Sequence, residues 1–174
     1  MDTSPQVFCT TDKNYSLTIE GKLMEKLLKI CRGSDGKETG GILIGYYNPN
    51  HDNAIVTDVS SPPTDSKRGP TSFIRGIRGL QSWLNRLWKR QRHYYLGEWH
   101  FHPFADPTPS MTDIGQLKKF SKTPSLRCPE PVMLIIGDDP NRKWTAKAFV
   151  SPRESTLLEM MQSNEESSHT IEKR

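Results

Sequence analysis

The run Gly40-Gly41-Ile42-Leu43-Ile44-Gly45-Tyr46-Tyr47 constrains the fold more than any other segment. It offers no charged side chain, is closed by Asn48-Pro49-Asn50, and is too short for a typical helix. It therefore reads as a buried strand. Ala54 to Ser60 is the expected hairpin partner, and Tyr15 to Glu20 alternates weakly enough to be a first strand. Lys22 to Arg32 carries Leu23, Leu27, Ile30 and Cys31 at helical spacing and is stopped by Gly33-Ser34-Asp35-Gly36. Phe73, Ile77, Leu80, Leu84 and Leu87 predict a long amphipathic helix from Phe73 to about Arg92, with Trp83 and Trp88 widening its apolar stripe.

Further on, Tyr94 to Phe101 is the next expected strand, followed after Pro107-Thr108-Pro109 by a helix from Met111 to Phe120. Pro131 to Gly137 and Lys143 to Val150 read as two strands joined by an Asp-Asp-Pro-Asn turn. A short helix over Arg153 to Met161 is expected to close a domain spanning 1–161, leaving 162–174 as a polar, disordered tail. Ser60 to Pro70, rich in proline, serine and charge, is the expected mobile loop. Interleaved helices and strands suggest a layered α/β domain.

Composition removes several classes. At 174 residues the chain fits one domain large enough to need no disulfide staples. Its three cysteines, Cys9, Cys31 and Cys128, form no C-x-x-C pair, which argues against a thiolate zinc cluster and against a secreted disulfide framework. Mean hydropathy is −0.69, no run approaches a membrane span, and the first nine residues do not resemble a signal peptide. A cytoplasmic location is expected. The net charge of +4 is concentrated in Lys67, Arg68, Arg75, Arg78, Arg86, Lys89, Arg90 and Arg92. That run could meet an acidic partner or nucleic acid, but a solvated helix face accounts for it as well.

The chemistry lies in Gly97-Glu98-Trp99-His100-Phe101-His102-Pro103 and its continuation through Ser110-Met111-Thr112-Asp113. Residues two apart on a strand share a face, so His100 and His102 present their imidazoles together, with Phe101 turned toward the core. A catalytic zinc site takes three protein ligands and keeps a position for water. Asp113, on the first turn of the next helix, can supply the third. Ser110-x-x-Asp113 alone is also what a capped helix start looks like, and a histidine pair can be merely hydrogen-bonded. The two halves together, a short loop apart, favour one zinc ion. A hydrolase would also need a base for the attacking water. Glu98 alternates in phase with the histidines, and Glu38 stands at the entry to the buried strand. Spacing does not choose between them.

This arrangement resembles the JAB/JAMM (MPN-type) zinc metalloprotease family, whose signature is an early glutamate, then His-x-His, seven residues, Ser, two residues, Asp. Glu38, His100, His102, Ser110 and Asp113 match every position, and the likeness runs from about Tyr15 to Val150. The resemblance implies an α/β/α sandwich around a twisted mixed sheet, of the cytidine-deaminase-like kind. It implies His100, His102 and Asp113 as ligands of a single zinc ion with a bound water. It assigns the base to Glu38, the oxyanion donor to Ser110, and a supporting role to Glu98.

Segments such as Pro70 to Gly76 and Tyr94 to His100 are further similar to a bacterial branch that includes deconjugating proteases of CBASS anti-phage operons. That likeness implies hydrolysis of the amide joining the C-terminal tail of a cGAS-like nucleotidyltransferase to its target. A protease for another bacterial ubiquitin-like protein is the nearest alternative. Asp106 to Ser110 also resembles the metal loop of RadC-like DNA-associated proteins, but His100-Phe101-His102-Pro103-Phe104-Ala105 departs from the His-Asn-His-Pro-Ser-Gly of that group, and a nucleic-acid partner is not favoured.

Overall fold

A computed structural model describes residues 4–138 and 143–163. The sheet strands are β1 (Gln6–Cys9), β2 (Ser16–Ile19), β3 (Thr39–Tyr47), β4 (Asn53–Val59), β7 (Tyr94–His102), β8 (Val132–Asp138), β9 (Trp144–Val150) and β10 (Leu158–Gln162). A separate hairpin pairs β5 (Lys67–Gly69) with β6 (Ser72–Ile74), and the helices are α1 (Gly21–Arg32), α2 (Leu80–Gln91) and α3 (Met111–Ser121). The eight sheet strands run β1-β10-β9-β8-β7-β3-β4-β2 and close on themselves through β1 and β2. The β2–β4 and β7–β8 pairs are parallel and the others antiparallel. No helix among the described residues is long and apolar enough to cross a membrane.

The mixed sheet with helices on both faces agrees with the expected layering, but the sheet is a closed barrel rather than the open centre of an α/β/α sandwich. Two short strands make the difference. β10 occupies the end of the segment expected to be a helix, the rest of that segment is not helical, and β1 precedes the first expected strand. Leu157, Leu158, Met160 and Met161 fit a helix stripe as readily as an alternating strand. Pairing with β9 on one side and β1 on the other decides for the strand, because it satisfies two sheet edges at once. The turn between β8 and β9 and the tail beyond 163 lie outside the described residues.

The two sheet faces have different partners. On the inner face Leu17, Leu43, Val56, Leu96, Trp99, Phe101 and Leu134 pack with Met24, Leu27 and Cys31 of α1. On the outer face Ile42, Ile44 and Tyr95 meet Trp83, Leu84 and Leu87 of α2, while Leu117 of α3 meets Met133 and Ile135. Buried thiols Cys31 and Cys128 are each pushed up to about 12, chiefly by burial.

The expected helix from Phe73 begins only at Leu80. Gly79 takes a left-handed φ of 81°, and a side chain at Gly76 would collide with Asp65, whose carboxylate accepts the N–H groups of Ile77 and Arg78. Ile77, 74% exposed, matched the helical stripe without belonging to it. The expected mobile loop is likewise structured at its end, where β5 pairs β6 across Pro70-Thr71.

Candidate metal centre

His100 and His102 project from the last turns of the alternation in β7, in the middle of the sheet, where β3 and β8 pair on either side. A register shift opposite Gly97 resets the alternation. Leu96, Trp99 and Phe101 therefore face inward, whereas Tyr95, Glu98, His100 and His102 share the outer face. Gly97 is needed there because a side chain would collide with the Val132 carbonyl.

Asp113 enters from the first turn of α3. It forms a capping box with Ser110: Asp113 Oδ2 accepts the Ser110 N–H at 2.8 Å and its hydroxyl at 2.7 Å, and the Asp113 N–H donates back to Ser110 Oγ at 3.1 Å. The cap takes Oδ2, which also faces His102, and leaves the second oxygen to His100. The other, Oδ1, lies 2.9 Å from His100 Nδ1, and His102 Nε2 lies 3.8 Å from Oδ2. One ligand atom from each of the three residues lies within 4.8 Å of the others, close enough for a single ion to bridge. The capped-helix reading of Ser110-x-x-Asp113 thus holds, and the same carboxylate stands beside both histidines.

The electrostatics suit a cation. Burial pushes the Asp113 carboxyl up, but hydrogen bonds from His100 and Ser110 outweigh it and hold the group at about 2. Burial depresses the His102 imidazole below its usual value against the pull of Asp113, favouring the neutral form that ligates metals. Two imidazole nitrogens and a carboxylate oxygen form a donor set that fits a borderline divalent ion.

The two candidate bases stand in different surroundings. Glu38 is half-buried, one residue before Thr39, which pairs Phe101, and two before Gly40, which pairs His100. It therefore sits on the histidine face. Burial and then the Asp113 charge raise its carboxyl above the ordinary range, while His100 opposes them. Glu98 is 2% exposed and sealed: Oε2 accepts Arg75 Nε at 2.7 Å and Oε1 accepts the Tyr95 hydroxyl at 2.9 Å. Its burial raises its carboxyl, with the Arg75 guanidinium working against that.

Sequence reasoning overlooked three neighbours. Phe73 stands edge-on to His100, with ring centroids 5.5 Å apart, Arg75 holds Glu98, and Tyr95 completes that pair. Phe73 and Arg75 fall within the expected helix, but α2 starts only at Leu80. The signal available was the pair of glycines, Gly76 and Gly79, inside that stripe. Phe104 is 67% exposed in a left-handed conformation, with its N–H on Asp138 Oδ1 at 2.8 Å.

A family model described as prokaryotic homologs of the JAB domain matches residues 21–147. The chain belongs to this family. A CD-NTase/cGAS isopeptidase of Enterobacter hormaechei subsp. hoffmannii is 40% identical over 139 residues, covering 80% of this chain and 77% of the relative. A probable metalloprotease of Sinorhizobium fredii is 28% identical over 149 residues, covering 83% and 90%. A protein of Escherichia coli, also described as a CD-NTase/cGAS isopeptidase, is 38% identical over 104 residues, covering 58% and 62%. The solution structure of a Desulfitobacterium hafniense protein shares the fold, with a TM-score of 0.60 at 23% identity over 80% of this chain and 86% of that one. A JAB domain with relatives so described is a hydrolase acting on peptide or isopeptide bonds, and the His-His-Asp cluster fits the metal site of such an enzyme.

Proposed function

We propose that this JAB domain is a zinc-dependent isopeptidase that cuts the amide between the C-terminal tail of a CD-NTase (a cGAS-like nucleotidyltransferase) and the amine of a target protein, reversing that conjugation in CBASS anti-phage defence. The observation that carries the reading is the convergence of His100, His102 and Asp113 on one point in a chain 40% identical to a CD-NTase/cGAS isopeptidase.

On this reading His100, His102 and Asp113 hold the zinc. Bound there, zinc would supply a Lewis acid and lower the pKa of a water toward neutrality. Glu38 takes the proton from the attacking water and later passes it to the leaving amine. Ser110 donates its hydroxyl to the developing oxyanion. Its single proton now goes to Asp113 Oδ2, which keeps the Ser110 N–H when the hydroxyl turns away. Glu98 stays out of proton transfer because Arg75 and Tyr95 occupy its oxygens. A lysine amide and a peptide amide present the same carbonyl, so this chemistry serves either.

The test is to incubate the zinc-loaded protein with a CD-NTase whose C-terminus is joined by a defined amide to a reporter protein, and to locate the cut by mass spectrometry. Cleavage immediately after the CD-NTase C-terminal residue, absent with Glu38→Gln, supports the proposal. No cleavage there, with cleavage of a ubiquitin-like fusion instead, would assign the enzyme to a different conjugate.

A further inference from the structure

The β5–β6 hairpin grips the candidate centre from outside the sheet. The Gly69 carbonyl accepts the Glu38 N–H at 2.8 Å, and Arg68 Nε donates to the Glu38 carbonyl at 3.2 Å. Both backbone polar groups of Glu38 are thus held by the hairpin rather than by a neighbouring sheet strand. Arg68 Nη2 also reaches the Ser34 carbonyl at 3.1 Å, tying down the turn that leads into Glu38. Phe73 leans on the His100 ring over Gly40, where an added Cβ would come within 2.7 Å of Phe73 and 2.9 Å of His100.

Little apolar burial anchors this hairpin. Each strand has three residues, Ile74 is 62% exposed, and an isolated pair of this length has no independent stability. Its distal end is pinned instead by Arg75, the residue that follows β6. The Arg75 side chain is 17% exposed and the Glu98 side chain 2%, and they meet at 2.7 Å. Arg75 Nη1 donates to the Gly76 carbonyl at 2.9 Å, which fixes the guanidinium across the hairpin's exit. Glu98 belongs to β7, two residues before His100, so the pair links the hairpin to the strand that carries the histidines.

We propose that Arg75 is a positioning residue: its ion pair with the buried Glu98 locks the β5–β6 hairpin onto the sheet, and the locked hairpin fixes the Glu38 backbone and the His100 ring. The proposal rests on the reading of Glu38 as base and His100 as ligand. A merely structural ion pair would act on the whole domain. A latch acts on Glu38 first.

The experiment uses Arg75→Met and the double variant Arg75→Met/Glu98→Gln, which removes the unpaired buried charge that could unfold the single variant. Three quantities are read on the full chain: zinc content, amide hydrogen exchange residue by residue, and kcat and KM on the amide-fused substrate. In both variants zinc stays near one per chain and the amides of Ile42 and Leu134 keep their protection. The Glu38 amide exchanges at least about tenfold faster, since its opening no longer requires breaking the latch. The kcat falls by about 100-fold with little change in KM, as expected when a reacting group is misplaced by about an ångström.

A Glu38 amide that stays protected in the folded double variant would overturn the proposal. So would a loss of protection spread equally over β3 and β8. Exchange needs no turnover, so it still decides the latch if the substrate proposal fails.

Discussion

Gly40→Ala tests how closely β3 must approach the histidines. Gly40 pairs His100, and the added methyl would overlap the Trp99 carbonyl while lying 2.7 Å from Phe73 Cε1 and 2.9 Å from His100 Cδ2. Phe73 can turn, but the Trp99 carbonyl is backbone in the middle of the sheet. Relief therefore requires β3 and β7 to part or the His100 ring to swing. Overpacking of this kind costs about 1–3 kcal/mol. At about 2–4 °C per kcal/mol for a domain of this size, a 2 kcal/mol cost lowers Tm by about 4–8 °C. If half of that cost falls on the ligand geometry, zinc binds about fivefold more weakly.

The assay is calorimetry of the metal-free protein together with zinc competition against a chromophoric chelator. Gly115→Ala is the control, because a methyl there meets nothing within 4 Å on an exposed face of α3, and it should raise stability by about 0.5–1 kcal/mol. Wild-type Tm and wild-type zinc affinity in Gly40→Ala would refute the argument that this glycine sets the strand spacing at the site.

Further outcomes follow from the cap and the carboxylate. Asp113 is held at about 2 against an ordinary 3.8, so the folded state favours its ionised form. That stability is present above pH about 4 and is lost as pH falls through about 2, and it amounts to about 2 kcal/mol in the metal-free protein. Urea titrations between pH 5 and 2 should show that acid limb, and Asp113→Asn should flatten it. Ser110→Ala removes the side-chain cap and should cost about 1 kcal/mol in urea unfolding. On the proposed role it also lowers kcat by about 100-fold with zinc retained. An unchanged kcat in a stably folded, zinc-loaded Ser110→Ala would remove that role.

Much of the frame was legible because its signals are local and strong. The apolar runs at β3 and β8 leave little alternative to buried strands, the α1 stripe ends at a glycine turn, and His100 and His102 share a face by strand period alone. What escaped depended on distant partners. β1 and β10 are short and ambiguous in period, and only closing the barrel gives them a role. Phe73 and Ile77 continue the spacing of α2 without belonging to it, so the stripe runs longer than the helix. The shift at Gly97 is likewise invisible to an alternation count, yet it turns Tyr95 and Glu98, three residues apart, to the same face. Strand phase put Glu98 beside the histidines correctly. Only its enclosure by Arg75 and Tyr95 distinguishes it physically from Glu38.

The most direct measurement compares Glu38→Gln with Glu98→Gln on the amide-fused CD-NTase, with zinc content determined for each. The account predicts that Glu38→Gln keeps its zinc and loses activity by about 10²–10⁴-fold or more. It predicts that Glu98→Gln, whose amide oxygen can still accept a hydrogen bond from Arg75, stays within about tenfold of the unmodified enzyme. Activity lost only in Glu98→Gln, with zinc bound in both, would contradict it.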